Sequence, residues 1–173
     1  MATLTRIVLK PEPLTRSAFA PFGEVVELEG ARHYTINDGY AECYHDLARL
    51  DVTEAGGRPL LNIFRAKPRA LPLRIRMVER HPLSSQAFMP LAPAPFLVVV
   101  APAGDPPLPS ALRAFVTDGN QGINYARGTW HHPLIAMGEP SDFLVVDRGG
   151  PGANCDESSF EEQTILLDLP AKP

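Results

Sequence analysis

Proline is the residue that most restricts how this chain can fold. The sequence holds 19 prolines among 173 residues, about twice the usual frequency. Proline breaks helix interiors because it lacks a backbone N–H and clashes with the preceding turn. Within sheets it is confined to edges, strand ends and bulges. The apolar fraction of 45% is nevertheless ordinary, so we expect short strands joined by stiff turns around a core of normal size.

Segments rich in branched and aromatic residues alternate with clusters of turn formers, a pattern typical of strands. The predicted strands are Arg6–Leu9, Glu24–Leu28, Leu60–Arg65, Arg74–His81, Gln86–Met89, Phe96–Val100, Leu112–Thr117 and Phe143–Val146. A short helix capped by Thr15 is expected at Ser17–Phe22, and a second helical turn near Tyr44–Leu50. Since no repeat or linker divides the sequence, we expect residues 1–173 to form one all-β domain, mainly a closed barrel or sandwich.

Charge and composition argue against several classes of function. The net charge is −4, the pI is about 5.7 and no basic run occurs, so binding to nucleic acid has no electrostatic support. The longest apolar stretch, Ala87–Ala103, contains four prolines and does not suit a membrane span. No signal-peptide core is present, and Cys43 and Cys155 are too few for a disulfide framework. We therefore expect a cytoplasmic protein with unpaired thiols that binds neither nucleic acid nor membrane.

The segment Arg74–His81 (RIRMVERH) carries the first chemically informative pattern. Because alternate side chains of a strand share a face, one face is predicted to hold Ile75, Met77, Glu79 and His81. That face begins apolar and ends with a carboxylate and an imidazole, as expected where a barrel interior opens into a binding site. A solvent-exposed strand end that carries Glu79 and His81 would explain the same pattern equally well.

A second polar segment, Gly128–Pro133 (GTWHHP), follows a glycine-rich turn. In an extended chain the adjacent His131 and His132 point to opposite sides. Only one of these two histidines can therefore join Glu79 and His81 inside a barrel.

The spacing of these residues resembles the two cupin motifs, His-x-His-x4-Glu and a later Gly-x-x-His. Glu79 falls on the first histidine, His81 on the second, Gln86 on the glutamate and His131 on the last histidine. The resemblance implies a cupin-like β-barrel or jelly roll. From strand alternation, His132 is expected to pack outside the pocket, with Trp130. One carboxylate and two imidazoles remain good metal ligands, whereas Gln86 offers only a weaker, neutral amide oxygen.

A more specific resemblance covers the chain from about Leu9 to Leu167. The stretches that carry it are INDGYAECYHDL (Ile36–Leu47), ERHPLSSQAFMPL (Glu79–Leu91), LRAFVTDGNQGINYARGTWHHPL (Leu112–Leu134) and DFLVVDRGG (Asp142–Gly150). They resemble the ureidoglycolate lyase family of allantoin and purine catabolism. The resemblance implies a homodimer that splits ureidoglycolate into glyoxylate and urea, and a dependence on nickel.

This chemistry requires a base for the substrate hydroxyl, an acid for the leaving nitrogen and a group that holds the carboxylate. His81 and His131 are expected to be metal ligands or an acid–base pair, since the imidazole pKa lies near neutrality. Glu79 is expected to be a further ligand or the base. Gln86 is expected to contact the amide of the substrate.

Arginine suits the substrate carboxylate because its guanidinium donates two parallel hydrogen bonds. Arg65, on a predicted strand, is the first candidate and Arg148 is the second. Tyr44 lies in a polar segment that is expected to close over the barrel mouth or to meet a dimer partner.

Two alternative functions stay open at this point. A ureidoglycolate amidohydrolase would release ammonia and carbon dioxide, but it needs a firmly held metal, and Gln86 counts mildly against that. A non-enzymatic cupin that binds a small acid would use the same residues as a binding site alone. No DNA-binding segment accompanies them, so a regulatory role has less support.

Overall fold

The computed structural model describes residues 6–169, so the ends of the predicted domain, residues 1–5 and 170–173, lie outside the described residues. The described chain is mainly β, as predicted, with one short helix, α1 (Arg16–Phe19), and 3-10 turns at Asn37–Gly39, Glu54–Gly56 and Pro109–Ala111. The strands are β1 Arg6–Leu9, β2 Glu12–Pro13, β3 Gly23–Val26, β4 His33–Ile36, β5 Ala41–Tyr44, β6 Arg58–Ala66, β7 Leu73–Ile75, β8 Met77–Arg80, β9 Gln86–Pro90, β10 Phe96–Ala101, β11 Arg113–Val116, β12 Gly122–Tyr125, β13 Trp130–His131, β14 Ile135–Ala136, β15 Ser141–Gly149, β16 Asp156–Ser159 and β17 Thr164–Leu167. None of the helices in this part of the chain has the length and hydropathy needed to cross a bilayer.

The sheets pack in layers around two apolar clusters. A central sheet has the order β16-β8-β13-β10-β11-β2, with β14 also paired to β10, and an outer sheet has the order β3-β12-β9-β15-β6. A small sheet, β1-β17-β7, covers the other face of the central sheet, and β4 and β5 form a separate hairpin. This arrangement is the cupin-like barrel that the sequence predicts, with a third layer added.

Strand β10 explains why there are two clusters. All six of its residues are buried, because both of its faces are covered, and this accounts for its unbroken apolar sequence. Leu97 and Val99 pack with Trp130 and Ile165 in a cluster that we call the outer core. Phe96 and Val98 pack on the other face with residues of the outer sheet, such as Phe143, in a cluster that we call the barrel interior.

The predicted cap of helix α1, Thr15, is confirmed. The Thr15 hydroxyl accepts a hydrogen bond from the Ala18 N–H at 3.2 Å, and Phe19 is fully buried in the barrel interior. The helical turn predicted near Tyr44–Leu50 is wrong, because Tyr44 ends strand β5 and pairs with His33, and the following residues are irregular.

The prediction of one continuous strand over Arg74–His81 is also wrong. Strand β7 ends at Ile75 and β8 begins at Met77, while the carbonyl of Arg76, between them, accepts a hydrogen bond from the Phe160 N–H at 2.8 Å. The break shifts the alternation by one residue, so Ile75 and Val78 both lie in the outer core. Ile75 therefore does not share a face with Glu79, which lies on the side of the barrel interior, as predicted.

Candidate active site

A cavity of about 350 Å³ opens at one end of the barrel interior, between the central and outer sheets. Its lining residues are Phe64, Arg65, Ala66, Glu79, Gln86, Phe88, His131, Pro133 and Leu134. A larger depression of about 810 Å³ adjoins it and shares Arg65, but it is lined mainly by proline, alanine and other small or apolar residues. The polar groups that can perform chemistry lie in the smaller cavity.

Strand pairing places the carboxylate and imidazole groups together. Glu79 on β8 and His131 on β13 are direct partners in the antiparallel register. Just beyond the end of β8, the carbonyl of His81 accepts a hydrogen bond from the Gly128 N–H at 3.0 Å. Gly128 has φ +77°, a conformation that favours glycine, so the turn before β13 depends on this residue.

His131 is 2% exposed and has one ring nitrogen without a partner. Its Nδ1 lies 2.9 Å from the carbonyl oxygen of Thr129, and since a carbonyl only accepts, Nδ1 carries the proton. Nε2 has no hydrogen-bond partner and lies 3.6 Å from Oε1 of Glu79. The ring of Tyr125 stacks on the imidazole with centroids 4.1 Å apart, which fixes its orientation.

His81 is held in the same way. Its Nδ1 donates to the carbonyl of Asn154 at 2.7 Å, and its Nε2 lies 3.1 Å from Oε1 of Gln86. The rings of His81 and His131 are 5.2 Å apart, centroid to centroid. His81 is not among the residues that line the cavity, but one of its ring nitrogens lies within 4.8 Å of ligand atoms of Glu79 and His131.

The electrostatics of the site favour an ionised carboxylate. The neighbouring His131 imidazole holds the pKa of Glu79 below its ordinary value, against the opposing effect of burial. Burial raises the pKa of the neighbouring Tyr125 phenol, which therefore stays neutral. The site combines one carboxylate with two imidazole rings.

This donor set fits a divalent metal ion. One ligand atom from each of Glu79, His81 and His131 lies within 4.8 Å of the others. Metal-binding histidines usually donate their second ring N–H to a carbonyl or carboxylate, as both imidazoles do here. The unpartnered, buried Nε2 of His131 is the atom that such an ion would satisfy.

The predicted arginines lie in different settings. Arg65 lies at the rim of the cavity, 78% exposed, and donates two hydrogen bonds to Asp142, at 2.8 and 2.9 Å. Arg148 is outside the cavity lining, because its guanidinium donates to the backbone carbonyls of Glu54 and Pro151 at 2.8 Å each.

Two further residues lie apart from the cavity. Tyr44 is in the β4–β5 hairpin, where its ring stacks on His33 with centroids 5.2 Å apart. His132 is buried outside the lining, and its Nδ1 donates to the carbonyl of Pro133 at 2.8 Å. Burial lowers the pKa of His132, so this imidazole is held neutral.

Sequence reasoning missed the groups that orient the site. Asp147 accepts a hydrogen bond from the Gln86 amide at 2.7 Å. The sequence does contain a signal for Asp147. It follows Phe143 and Val145 on the interior face of β15, so it is an acid at a position where an apolar residue is expected. The carbonyls of Thr129 and Asn154 leave no such signal, because backbone acceptors do not depend on residue type.

Fold and site together define the class: a cupin-like enzyme barrel with histidine and carboxylate side chains that could hold a metal ion. The sequence profile described as ureidoglycolate lyase matches residues 6–167. A ureidoglycolate lyase of Burkholderia mallei is 59% identical over 160 residues, covering 92% of this chain and 94% of the relative. The Burkholderia cepacia protein of that name is 58% identical (95% and 93% covered), and that of Pseudomonas paraeruginosa is 55% identical (92% and 95% covered). The chain belongs to the ureidoglycolate lyase family.

Proposed function

We propose that this chain cleaves ureidoglycolate into glyoxylate and urea in allantoin and purine catabolism. The substrate carbon carries a hydroxyl, a carboxylate and the ureido nitrogen. The hydroxyl proton leaves as the aldehyde forms, the C–N bond breaks, and the nitrogen gains a proton to give urea. Besides family membership, the observation that carries the proposal is the cluster of Glu79, His81 and His131, whose ligand atoms lie within 4.8 Å of one another beside a cavity that Glu79 and His131 line.

Glu79, His81 and His131 would hold a divalent ion, with the Gln86 oxygen beside them, and we propose nickel as that ion. When bound, it would polarise the substrate hydroxyl and lower the pKa of that group. This assignment is supported by the Nδ1 contacts of both histidines with backbone carbonyls.

The protein groups divide the remaining work. The ionised Glu79 accepts the hydroxyl proton at a carboxylate oxygen and returns it to the leaving nitrogen as the C–N bond breaks. Gln86 Oε1 accepts a hydrogen bond from a ureido N–H. Arg65 turns from Asp142 at the rim to bind the substrate carboxylate with two hydrogen bonds. The rings of Phe64 and Phe88 limit the water that reaches the reacting carbon.

We also propose that residues 1–173 act as one domain in a cytoplasmic homodimer. Leu61 and Ile63 are 71% and 55% exposed on the outward face of β6, which is the edge strand of the outer sheet. An exposed apolar face on an edge strand suits a second copy related by a two-fold axis. Light scattering after chromatography tests this: Leu61→Arg is expected to give a monomer, and an unchanged mass would contradict the proposed contact.

The catalytic proposal is tested by product analysis. Protein freed of metal by a chelator, and the same protein reloaded with nickel, are incubated with ureidoglycolate while urea, glyoxylate and ammonia are measured. The spontaneous decay of the substrate is subtracted from each rate. Equal amounts of urea and glyoxylate from the loaded protein are expected. Ammonia without urea would overturn the proposal in favour of an amidohydrolase, and no turnover in either form would favour a binding protein.

A further inference from the structure

Three polar side chains form a chain of hydrogen bonds behind the candidate metal ligands. The Nε2 of Gln86 donates to Oδ1 of Asp147 at 2.7 Å, and Nδ2 of Asn62 donates to Oδ2 of the same carboxylate at 3.0 Å. Gln86 is 7% exposed. We call these three residues the amide clamp.

The outer sheet brings the amide clamp together. Strands β9, β15 and β6 are neighbours in that order, and Val146 pairs with Ala87. Continuing this antiparallel register by one residue sets Asp147 opposite Gln86. Asn62 pairs with Val145, two residues away on the same face of β15. The contacts therefore follow from strand register, although Asn62 and Asp147 are 85 residues apart.

A carboxylate opposite the amide leaves it one favourable orientation. A glutamine side chain can present either its oxygen or its NH₂ group to a partner. Asp147 accepts hydrogen bonds only, so turning the amide over would bring the Gln86 oxygen against a carboxylate oxygen and leave a buried acceptor unpaired. Oε1 is consequently directed away from Asp147, to a position 3.1 Å from Nε2 of His81.

We propose that Asp147, supported by Asn62, is a positioning residue that keeps the Gln86 oxygen facing the reaction site. The inference rests on the proposed function, because that oxygen is directed at the same ion and substrate. It also accounts for a glutamine at the position where the cupin motif has glutamate. A glutamate here would place two carboxylates in hydrogen-bond contact, whereas glutamine supplies an oxygen to the site and an N–H to Asp147.

Exchanging the carboxylate of residue 147 and the amide of residue 86 tests the amide clamp. In Asp147→Asn, residue 147 can donate to or accept from the amide, so Gln86 is free to turn its NH₂ group towards the site. We expect the affinity for nickel alone, measured by titration calorimetry, and kcat/KM for urea release to fall about 10- to 100-fold, as for other residues that orient metal ligands. Asp168→Asn, the same change at an exposed carboxylate paired with Lys10, is expected to leave both unchanged.

The double variant Asp147→Asn with Gln86→Glu separates positioning from simple damage. Glutamate presents an oxygen in either orientation, and the amide at residue 147 can donate to its second oxygen. We expect the double variant to regain nickel affinity and kcat/KM to within a few-fold of the original chain. Thermal unfolding of each variant shows that the compared proteins are folded.

Three results would overturn the inference. Asp147→Asn with unchanged nickel affinity and turnover would exclude positioning, and so would a double variant that is worse than the single one. His131→Ala distinguishes this failure from failure of the proposed function. If His131→Ala loses both properties while Asp147→Asn keeps them, the amide clamp alone is refuted. If His131→Ala keeps both, the proposed function and the amide clamp fail together.

Discussion

Trp130 and His131 are adjacent in the sequence, yet they enter two regions of opposite character. Trp130 lies in the outer core, 1% exposed, and its indole N–H donates to the carbonyl of Gly104 at 3.2 Å. The guanidinium of Arg80 covers its ring at 4.7 Å. His131 turns to the barrel interior, where it is equally buried but keeps an unpartnered Nε2.

The difference between Trp130 and His131 shows that one strand contributes a residue for stability and a residue for function. A buried polar atom without a partner costs free energy, so the Nε2 atom of His131 reduces stability while it supplies a group that can bind. The outer core, in contrast, is lined by apolar side chains from two sheets and has its indole donor satisfied. Substitutions in the two regions should therefore affect different properties.

The largest expected effect on stability is in the outer core. Trp130→Ala removes a fully buried ring and is expected to lower the free energy of unfolding by about 3–5 kcal/mol. His131→Ala is expected to lower it by only on the order of 1 kcal/mol, because the lost stacking on Tyr125 and hydrogen bond to Thr129 are partly offset by removal of the unpartnered Nε2. Urea denaturation of both variants measures the difference. Equal losses would show that the two regions are not distinct in this sense.

Tyr125 contributes both to packing and to the candidate site, because its ring belongs to the barrel interior and also stacks on His131. Tyr125→Ala is expected to lose roughly 3 kcal/mol of stability and also to lower kcat, because the imidazole loses its support. Tyr125→Phe keeps the ring and serves as the matched control. If the alanine variant loses stability but retains kcat, stacking does not orient His131.

Arg65 tests the rim of the site. Arg65→Gln is expected to raise KM for ureidoglycolate roughly tenfold with a small change in kcat, as for loss of one charged hydrogen bond. An unchanged KM would remove Arg65 from the substrate contacts.

The same variant has a pH signature. The hydrogen bond from Arg65 holds the pKa of Asp142 below its ordinary value, so this pair stabilises the fold above the unfolded aspartate pKa of about 3.9 and ceases to do so as the pH falls through the lowered value. Loss of Arg65 should raise the pKa of Asp142, which an NMR titration of its carboxyl carbon measures. The gain in Tm that the pair gives is small at an exposed site and should vanish in acid.

The smallest effect is expected at the cap of α1, which covers the barrel interior away from the cavity. Thr15→Ala removes the hydrogen bond to the Ala18 N–H and is expected to cost about 1 kcal/mol of stability. Thr15→Ser keeps the oxygen and should cost less. Both variants should retain kcat and KM. A loss of activity would mean that packing at this end of the barrel interior affects the candidate active site.

The parts of the fold that depend on local pattern could be predicted from the sequence. Alternating branched residues predicted strands such as β6 and β9, and Thr15 predicted the start of α1. The single strand over Arg74–His81 was wrong, because the bond between Phe160 and Arg76 comes from a segment about 80 residues away and breaks the alternation. Long-range pairing of this kind has no local signal.

The candidate site divides in the same way. Glu79, His81 and His131 could be proposed from alternation and motif spacing, and the structure brings them within one cluster. The orientation of Gln86 could not, since it depends on Asp147, whose approach is fixed by strand register. The contacts of Arg148 with backbone carbonyls were likewise invisible in the sequence.

The central claim is that His131 presents a functional nitrogen to the substrate cavity, and one rate measures it. Urea release from ureidoglycolate by the nickel-loaded protein is compared with that of His131→Ala at saturating substrate, with folding verified by thermal unfolding. We expect the variant to remain folded and to release urea no faster than the spontaneous decay of the substrate. A folded His131→Ala variant with the full rate would contradict the account.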